Sequence, residues 1–382
     1  MKQLAFLLLF MACIIKVNAN DSLIISMLQR IAALQENAGS KFPKGIIPAY
    51  RQYDKNVSSI QPDDNIFFNG LVVYTLQKIK HKLPKRGSIL VDTITERTAR
   101  IAHLYKNIKG RETYNFWRTN PPKVFPNSGW INWFDKVNAL PDDFDDTAMM
   151  LLALQANDST VKAVHSLMQG YTNNTGKQIK NTLKKYENIP AYSTWFGKKM
   201  PIDFDICVMA NVLLMAQQYH LAFTKADSAS LQLITAVLKA REHVTMPHFI
   251  APHYARTPII LYHVSRLMSV ANIPALDSLK PQLINDAYKE WEKTNNFFDK
   301  IILLTTLKRL GQPSQKIEQL SVNSFRTFVE ENDFVFFIAN MASMAPSNVK
   351  KYVGNSGIGK FYYYCPAYNY ALLIEYMVET KQ

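Results

Sequence analysis

Two stretches of the chain repeat one another. "NWFDKVNALPDDFDDTAMMLLAL" and "TWFGKKMPIDFDICVMANVLLMA" each begin with Trp-Phe (Trp133-Phe134 and Trp195-Phe196) and reach a proline (Pro141 and Pro201). Asp-Phe-Asp follows (Asp143 to Asp145, Asp203 to Asp205), and then an apolar run. A weaker copy, "QPDDNIFFNGLVVYTLQ", sets Pro62, Asp63 and Asp64 ahead of another apolar run. "APHYARTPIILYHVSRLM", "KTNNFFDKIILLTTLKRLG" and "FYYYCPAYNYALLIEYM" extend the series to six units, with room for a second helix in each interval. Self-similarity of this kind outranks any single motif, because one helical hairpin cannot bury its own apolar face and must stack on copies of itself.

Between the copies the apolar residues recur every three or four positions, as at Leu23, Ile24, Met27, Leu28, Ile31 and Leu34. That is one face of a helix. Alternating patterns are rare, and "FYYYC" is the one stretch that breaks the helical period. The expected fold is therefore all-α: an (α/α)6 toroid of helical hairpin repeats. Helices apolar on nearly every face would form the inner ring, and the amphipathic ones the outer. Such a ring gathers the inner-helix N-termini, and their acidic residues, around one mouth of a central cavity. An open helical solenoid without a cavity is the alternative.

The first copy carries more charge than a helix start needs. Asp142, Asp143, Asp145 and Asp146 crowd five positions. One or two carboxylates at a helix N-terminus cap free N–H groups and complement the macrodipole. Four packed together repel and raise one another's pKa. A carboxyl kept neutral in an apolar cavity is a proton donor to an alkene or epoxide. Catalytic candidates are thus Asp145, Asp143, Asp146 and, from the second copy, Asp205. Trp133, Trp195, Tyr254, Tyr262 and Tyr364 are the candidate ligand contacts. None of these readings requires a cofactor, and the cluster is not read as a dedicated metal centre. Its carboxylates nonetheless offer hard oxygen ligands to a divalent cation.

"DFDDTAMMLLAL" resembles the DxDDTA signature of class II terpene cyclases, such as squalene–hopene and copalyl diphosphate cyclases, which are built from α/α toroids. The resemblance covers about seven residues together with the repeat. It implies a proton donor at the middle aspartate, Asp145, tuned by Asp143 and Asp146 and supported by Thr147, acting on an isoprenoid. The chain departs from that family in having room for one toroid and in lacking its tryptophan- and glutamine-rich repeats. In another register, Asp142-Asp143-x-x-Asp146 resembles the metal-binding DDxxD of class I prenyl synthases. Six-hairpin toroids also occur among glycan-cleaving enzymes. Asp145 with Asp205, and Trp117, Trp130, Trp133, Trp195 and Tyr362 to Tyr364, would supply acids and sugar platforms for that chemistry. A non-catalytic interaction module of the cell envelope is the third reading. A deep aromatic cavity over Asp145 would favour isoprenoids, an open polar groove glycans, and a filled interior a scaffold.

The remaining features bound these readings. The 382 residues, 48% hydrophobic, are expected to make one continuous domain, residues 20–382. "MKQLAFLLLFMACIIKVNAN" reads as a signal peptide cut after Ala19, so the destination is secreted or periplasmic; a lipoprotein cysteine at Cys13 is the lesser alternative. No other run is long and apolar enough to span a membrane. The formal net charge is +14, with Lys2 and Lys16 in the leader. The lysines are dispersed and no RNA- or DNA-binding motif accompanies them, so the expected ligand is a small molecule or glycan and not nucleic acid. Cys207 and Cys365 could pair or stay buried as thiols. His243, His248, His253 and His263 read as loop and core residues rather than a metal set.

Overall fold

The computed structural model describes residues 19–37, 39–53, 60–126, 141–197, 200–313, 322–353 and 356–380. The leader up to residue 18, together with Trp130, Trp133 and Phe134, lies outside them. The described part is mostly helical. In chain order the helices are α1 (Ala19–Glu36), α2 (Phe67–Ile79), α3 (Lys85–Ala102), α4 (Phe144–Ala153), α5 (Asp158–Met168), α6 (Ile206–Gln218), α7 (Lys225–Lys239) and α8 (Glu242–Thr245). They continue with α9 (Pro247–Ile250), α10 (Thr257–Met268), α11 (Pro274–Asp277), α12 (Lys280–Lys293), α13 (Phe297–Arg309), α14 (Val322–Glu330), α15 (Ser347–Val353) and α16 (Pro366–Glu379).

Among the described residues, α2, α4, α6, α10, α13 and α16 are buried along almost their whole length. These are the six apolar runs of the repeat, and helices without a polar face have no side to give to water. Each packs on the next in chain order, and α16 packs back on α2, so their contacts close into a circuit. The outer layer is amphipathic: α3 packs on α2, α7 on α6 and α12 on α13. Gly70 lies at the close contact between α2 and α4. A Cβ there would stand 3.3 Å from Met149 Cβ and 3.3 Å from Met150 Sδ of α4, so a larger residue would require those side chains to shift.

The N-termini of these helices meet at one end of the circuit. The backbone N–H of His253, ahead of α10, donates to Asp205 at the start of α6 (2.9 Å). Arg256 reaches Asp299 in the first turn of α13 (2.8 Å). Tyr363, ahead of α16, meets Asp63, ahead of α2 (3.4 Å). The C-terminal ends meet at the other end, where Tyr74 bonds Gln218 (3.2 Å), Lys78 bonds Ser269 (2.7 Å) and Arg309 pairs with Glu375.

Two expectations need correction. The all-α expectation missed a sheet of β1 (Ala49–Tyr53), β2 (Gln61–Asp63), β3 (Phe337–Asn340) and β4 (Lys360–Tyr364). It is antiparallel in the order β2-β1-β4-β3, with Tyr50 opposite Tyr364 and Phe337 opposite Tyr363. Strands of three to five residues carry too few positions for alternation to register. The second correction concerns the repeat. Asp143 caps α4, accepting from the Asp145 and Asp146 N–H groups. Asp205, not Asp203, caps α6, accepting from Cys207 and Val208. The two Asp-Phe-Asp triplets are therefore out of step by two residues. The structural counterparts of Asp145 and Asp146 are Cys207 and Val208.

Candidate functional site

The cap register aims the extra charge of the first copy. With Asp143 as N-cap, Asp145 and Asp146 fall in the first turn of α4, inside the circuit and out of water. The chain ahead of the cap is held by a short antiparallel pairing. Asp143 lies opposite Trp195, Phe144 N–H donates to Thr194 O (3.0 Å), and Phe196 N–H to Asp142 O (3.0 Å). Alternation along this pairing sends neighbouring side chains to opposite faces. Asp143 and Trp195 border one cavity, whereas Asp142 and Phe196 border another.

The first cavity is small, about 20 Å³, enough for about one water molecule. Its walls include Asp143, Asp145, Asp146, Trp195, His253 and Phe337. Phe67 and Phe116 complete the apolar side, with Phe337 5.1 Å from Phe67 and stacked 5.4 Å from Phe116 between ring centroids. The second cavity, about 660 Å³, has a mixed lining in which Asn107, Lys109, Arg111 and Asn120 stand beside Ile108, Pro122, Pro141 and Phe196.

The carboxyls around the first cavity differ sharply. Asp145 is surrounded by donors: Tyr254 O–H on one oxygen and Asn211 N–H on the other. Arg266 in turn donates to the Asn211 carbonyl (2.5 Å). Burial still holds the Asp145 pKa above the ordinary range, against the pull of Tyr254, Asn211 and Arg266. Asp143 is raised to about 8, by burial first and then by Asp145. Asp146 is raised well above its usual value by burial, then by Asp143, Asp145 and Asp142. Its Oδ1 is buried and meets no hydrogen-bond partner among the described residues.

Behind these three stands an ion pair. Burial lowers the His253 pKa, but Asp203, Asp205 and Asp143 overcome it and raise the imidazole to about 9. Nδ1 faces the Ile338 carbonyl (3.1 Å) and Nε2 faces Asp203 (3.4 Å). The ring is an imidazolium with both N–H groups engaged, so it has no lone pair to act as a base. Asp203 also accepts from Asn181 (2.8 Å) and Ser343 (3.1 Å). Despite its burial it stays below the ordinary carboxylate range because His253 and Lys350 face it. Asp205 is spent on capping α6 and on the His253 N–H, and burial lifts it to about 6.

Comparison with family models, curated proteins and solved structures returns no match. The site must therefore be judged on its geometry. Asp143, Asp145, Asp146 and Trp195 border the same cavity. Asp205 stands behind them as a cap. Tyr254 reaches the site through its bond to Asp145. Tyr262 lies deeper, bonded to Glu375 (2.6 Å), and Tyr364 sits in the sheet opposite Tyr50; neither borders the cavity. Trp133 lies outside the described residues. Among the described residues no group of three or more His, Cys, Asp or Glu side chains is placed to hold a metal ion. The aspartates diverge instead: Asp142 turns away to Asn107 and Thr113. Cys207 and Cys365 are both buried free thiols.

Sequence reasoning missed Arg266, Asn211 and the pairing of His253 with Asp203. Arg266 and Asn211 sit inside apolar runs, where a lone polar residue facing inward is the available sign. The histidine group does not converge: His243 pairs with Asp286 (3.0 Å), and His263 Nδ1 bonds the Ile259 carbonyl (2.8 Å).

Proposed function

We propose that the closed circuit of six helices is the inner ring of an (α/α)6 toroid, and that its N-terminal mouth is an acid site of the terpenoid-cyclase kind. The observation that carries this reading is Asp146. It is buried, lines a cavity with aromatic walls, has an oxygen without a partner among the described residues, and is pushed well above the ordinary carboxylate range by burial and its neighbouring carboxyls. In this reading Asp146 is the donor, in place of Asp145, whose two oxygens already accept from Tyr254 and Asn211. Donors on both oxygens favour a carboxylate, and an unpartnered oxygen favours a neutral acid.

The step is a proton transfer. The Asp146 O–H bond breaks, and the proton goes to the π bond of an isoprenoid, leaving a carbocation and the Asp146 carboxylate. Return of a proton from the rearranged cation to that carboxylate restores the acid. Asp145 and the faces of Phe67, Phe116 and Phe337 would stabilise the cation, while Asp203 and Asp205 offset the charge of His253. A cavity of about 20 Å³ does not hold a hydrocarbon chain, so binding must widen it.

A second reading, a non-catalytic interaction module, is favoured by the filled interior. Tyr74, Tyr262, Arg266, Arg309, Tyr368 and Glu375 pack within the circuit below the site. Incubation with linear isoprenoids in D2O separates the two. The acid reading predicts deuterium incorporation by the wild type, reduced at least a hundredfold in Asp146→Asn, and a thermal shift with isoprenoids but not acidic oligosaccharides. No incorporation and no thermal shift with any isoprenoid would leave the module.

A further inference from the structure

The larger cavity lies on the other face of the strand pairing that turns Asp143 and Trp195 to the acid site, and Asp142 and Phe196 border it. Asp142 is 5% exposed. Its Oδ2 accepts from Asn107 and Thr113 and so pins both ends of the loop 107–113. The loop also closes on itself: Asn107 N–H donates to Thr113 O (3.0 Å) and Lys109 N–H to Asn107 Oδ1 (2.8 Å). Asp142 Oδ1 meets no donor among the described residues, and no described cation stands within ion-pair distance of this carboxylate. A buried charge is ordinarily paired. Two cations of the same cavity, Lys109 and Arg111, likewise meet no carboxylate among the described residues. Arg111 Nη1 donates to the Tyr171 hydroxyl (3.3 Å), and the Tyr171 ring stands edge-on to Phe196 at 5.4 Å. That contact leaves Arg111 Nε and Nη2, the edge of a guanidinium that takes a carboxylate through two parallel bonds.

We propose that this cavity, separate from the acid site, binds a zwitterion, a short peptide or free amino acid, with its ammonium on Asp142 Oδ1 and its carboxylate on Arg111 and Lys109. The charges of the lining carry this. A ligand with only a positive charge would be repelled by Lys109 and Arg111, and one with only a negative charge by Asp142. A zwitterion supplies the missing partner of each, and capture of a chain terminus by such groups is a recurrent mode of peptide recognition. The volume, about 660 Å³, lies in the range of small-ligand pockets. Ile108, Pro122, Pro141 and Phe196 give it an apolar wall for the ligand side chain. The hydrogen bonds within the loop hold Asp142 in place before the ligand arrives, so little ordering is left for binding to cost.

Calorimetric titration of the full-length protein tests this with four probes: L-leucine, the dipeptide Leu-Ala, its N-acetyl derivative and its C-terminal amide. The dipeptide is expected to bind, and loss of either terminal charge to weaken it at least tenfold, the worth of a charge-assisted hydrogen bond. The N-acetyl derivative probes Asp142 without disturbing the loop that it pins. Arg111→Gln should weaken the dipeptide about tenfold and leave the amide unchanged. Asp146→Asn, in the other cavity, should leave dipeptide affinity unchanged. Leucine binding as tightly as the dipeptide, with the same dependence on Arg111, upholds the zwitterion site and assigns it to free amino acids. Binding of neither, binding indifferent to acetylation and amidation, or binding lost in Asp146→Asn overturns the proposal. The wild-type series decides even where Arg111→Gln fails to fold. The acid reading stands or falls separately, on deuterium incorporation.

Discussion

Replacing Asp146 by Asn is expected to raise the unfolding temperature above neutral pH and to change it little near pH 4. In the folded protein Asp146 holds its proton well above the usual carboxylate range. In the unfolded chain it releases that proton near pH 4. The unfolded state then binds fewer protons than the native state, so stability falls as pH rises. Asp143, raised to about 8, contributes in the same direction up to that value. His253 adds to the trend. Its protonated form stabilises the fold fully below the unfolded histidine value of about 6.5, and that contribution is lost as pH rises through about 9. Asp203, held low, works the other way and only in acid: its contribution is lost as pH falls through its depressed value. Wild type should therefore be most stable in mild acid. Asp146→Asn should flatten the decline and be more stable than wild type at pH 8, because an amide has no proton to lose on unfolding. Melting curves from pH 4 to pH 9 check this. A variant that declines in parallel with wild type contradicts it.

The largest loss of stability is expected from Arg266→Met. Arg266 is fully buried, its guanidinium lying 5.6 Å from the Tyr74 ring centroid and 5.5 Å from that of Tyr262, and it holds the Asn211 carbonyl. Through Asn211 it supports the carboxylate of Asp145. Arg266 reaches Asp145 through Asn211 and not as a direct ion pair, so its removal leaves the Asn211 carbonyl buried without its donor, at a cost of about 1–3 kcal/mol. Asp145→Asn in the same chain should recover more than half of that loss, because a neutral side chain no longer needs the cation. Denaturant unfolding of the two single variants and the double variant measures the coupling. Additive losses would show that the Arg266–Asn211–Asp145 chain does not act as a unit.

The contrast between these two residues shows what could be read beforehand. Asp146 was visible because it exceeded what a helix start requires, and the repeat supplied the comparison. The six buried helices were visible for the same reason: each apolar run lacks a polar face, which is a local property of sequence. Arg266 was not visible, since one basic residue in "LYHVSRLM" looks like a solvated helix end until the ring closes around it. The sheet was missed because its strands are too short to show a period, although they bring Phe337 over the acids. The offset between the two Asp-Phe-Asp triplets was also hidden. Identical letters aligned them, whereas hydrogen bonding to the free N–H groups of α4 and α6 decided which aspartate became the cap.

The central claim is that a neutral carboxyl, Asp146, persists at neutral pH at the mouth of the helical ring. Infrared spectroscopy in D2O tests it directly, because a protonated carboxyl absorbs apart from carboxylates. The account predicts a neutral-carboxyl band in the wild type at pD 7 that weakens in Asp146→Asn. A spectrum without such a band, or one that Asp146→Asn leaves unchanged, contradicts it.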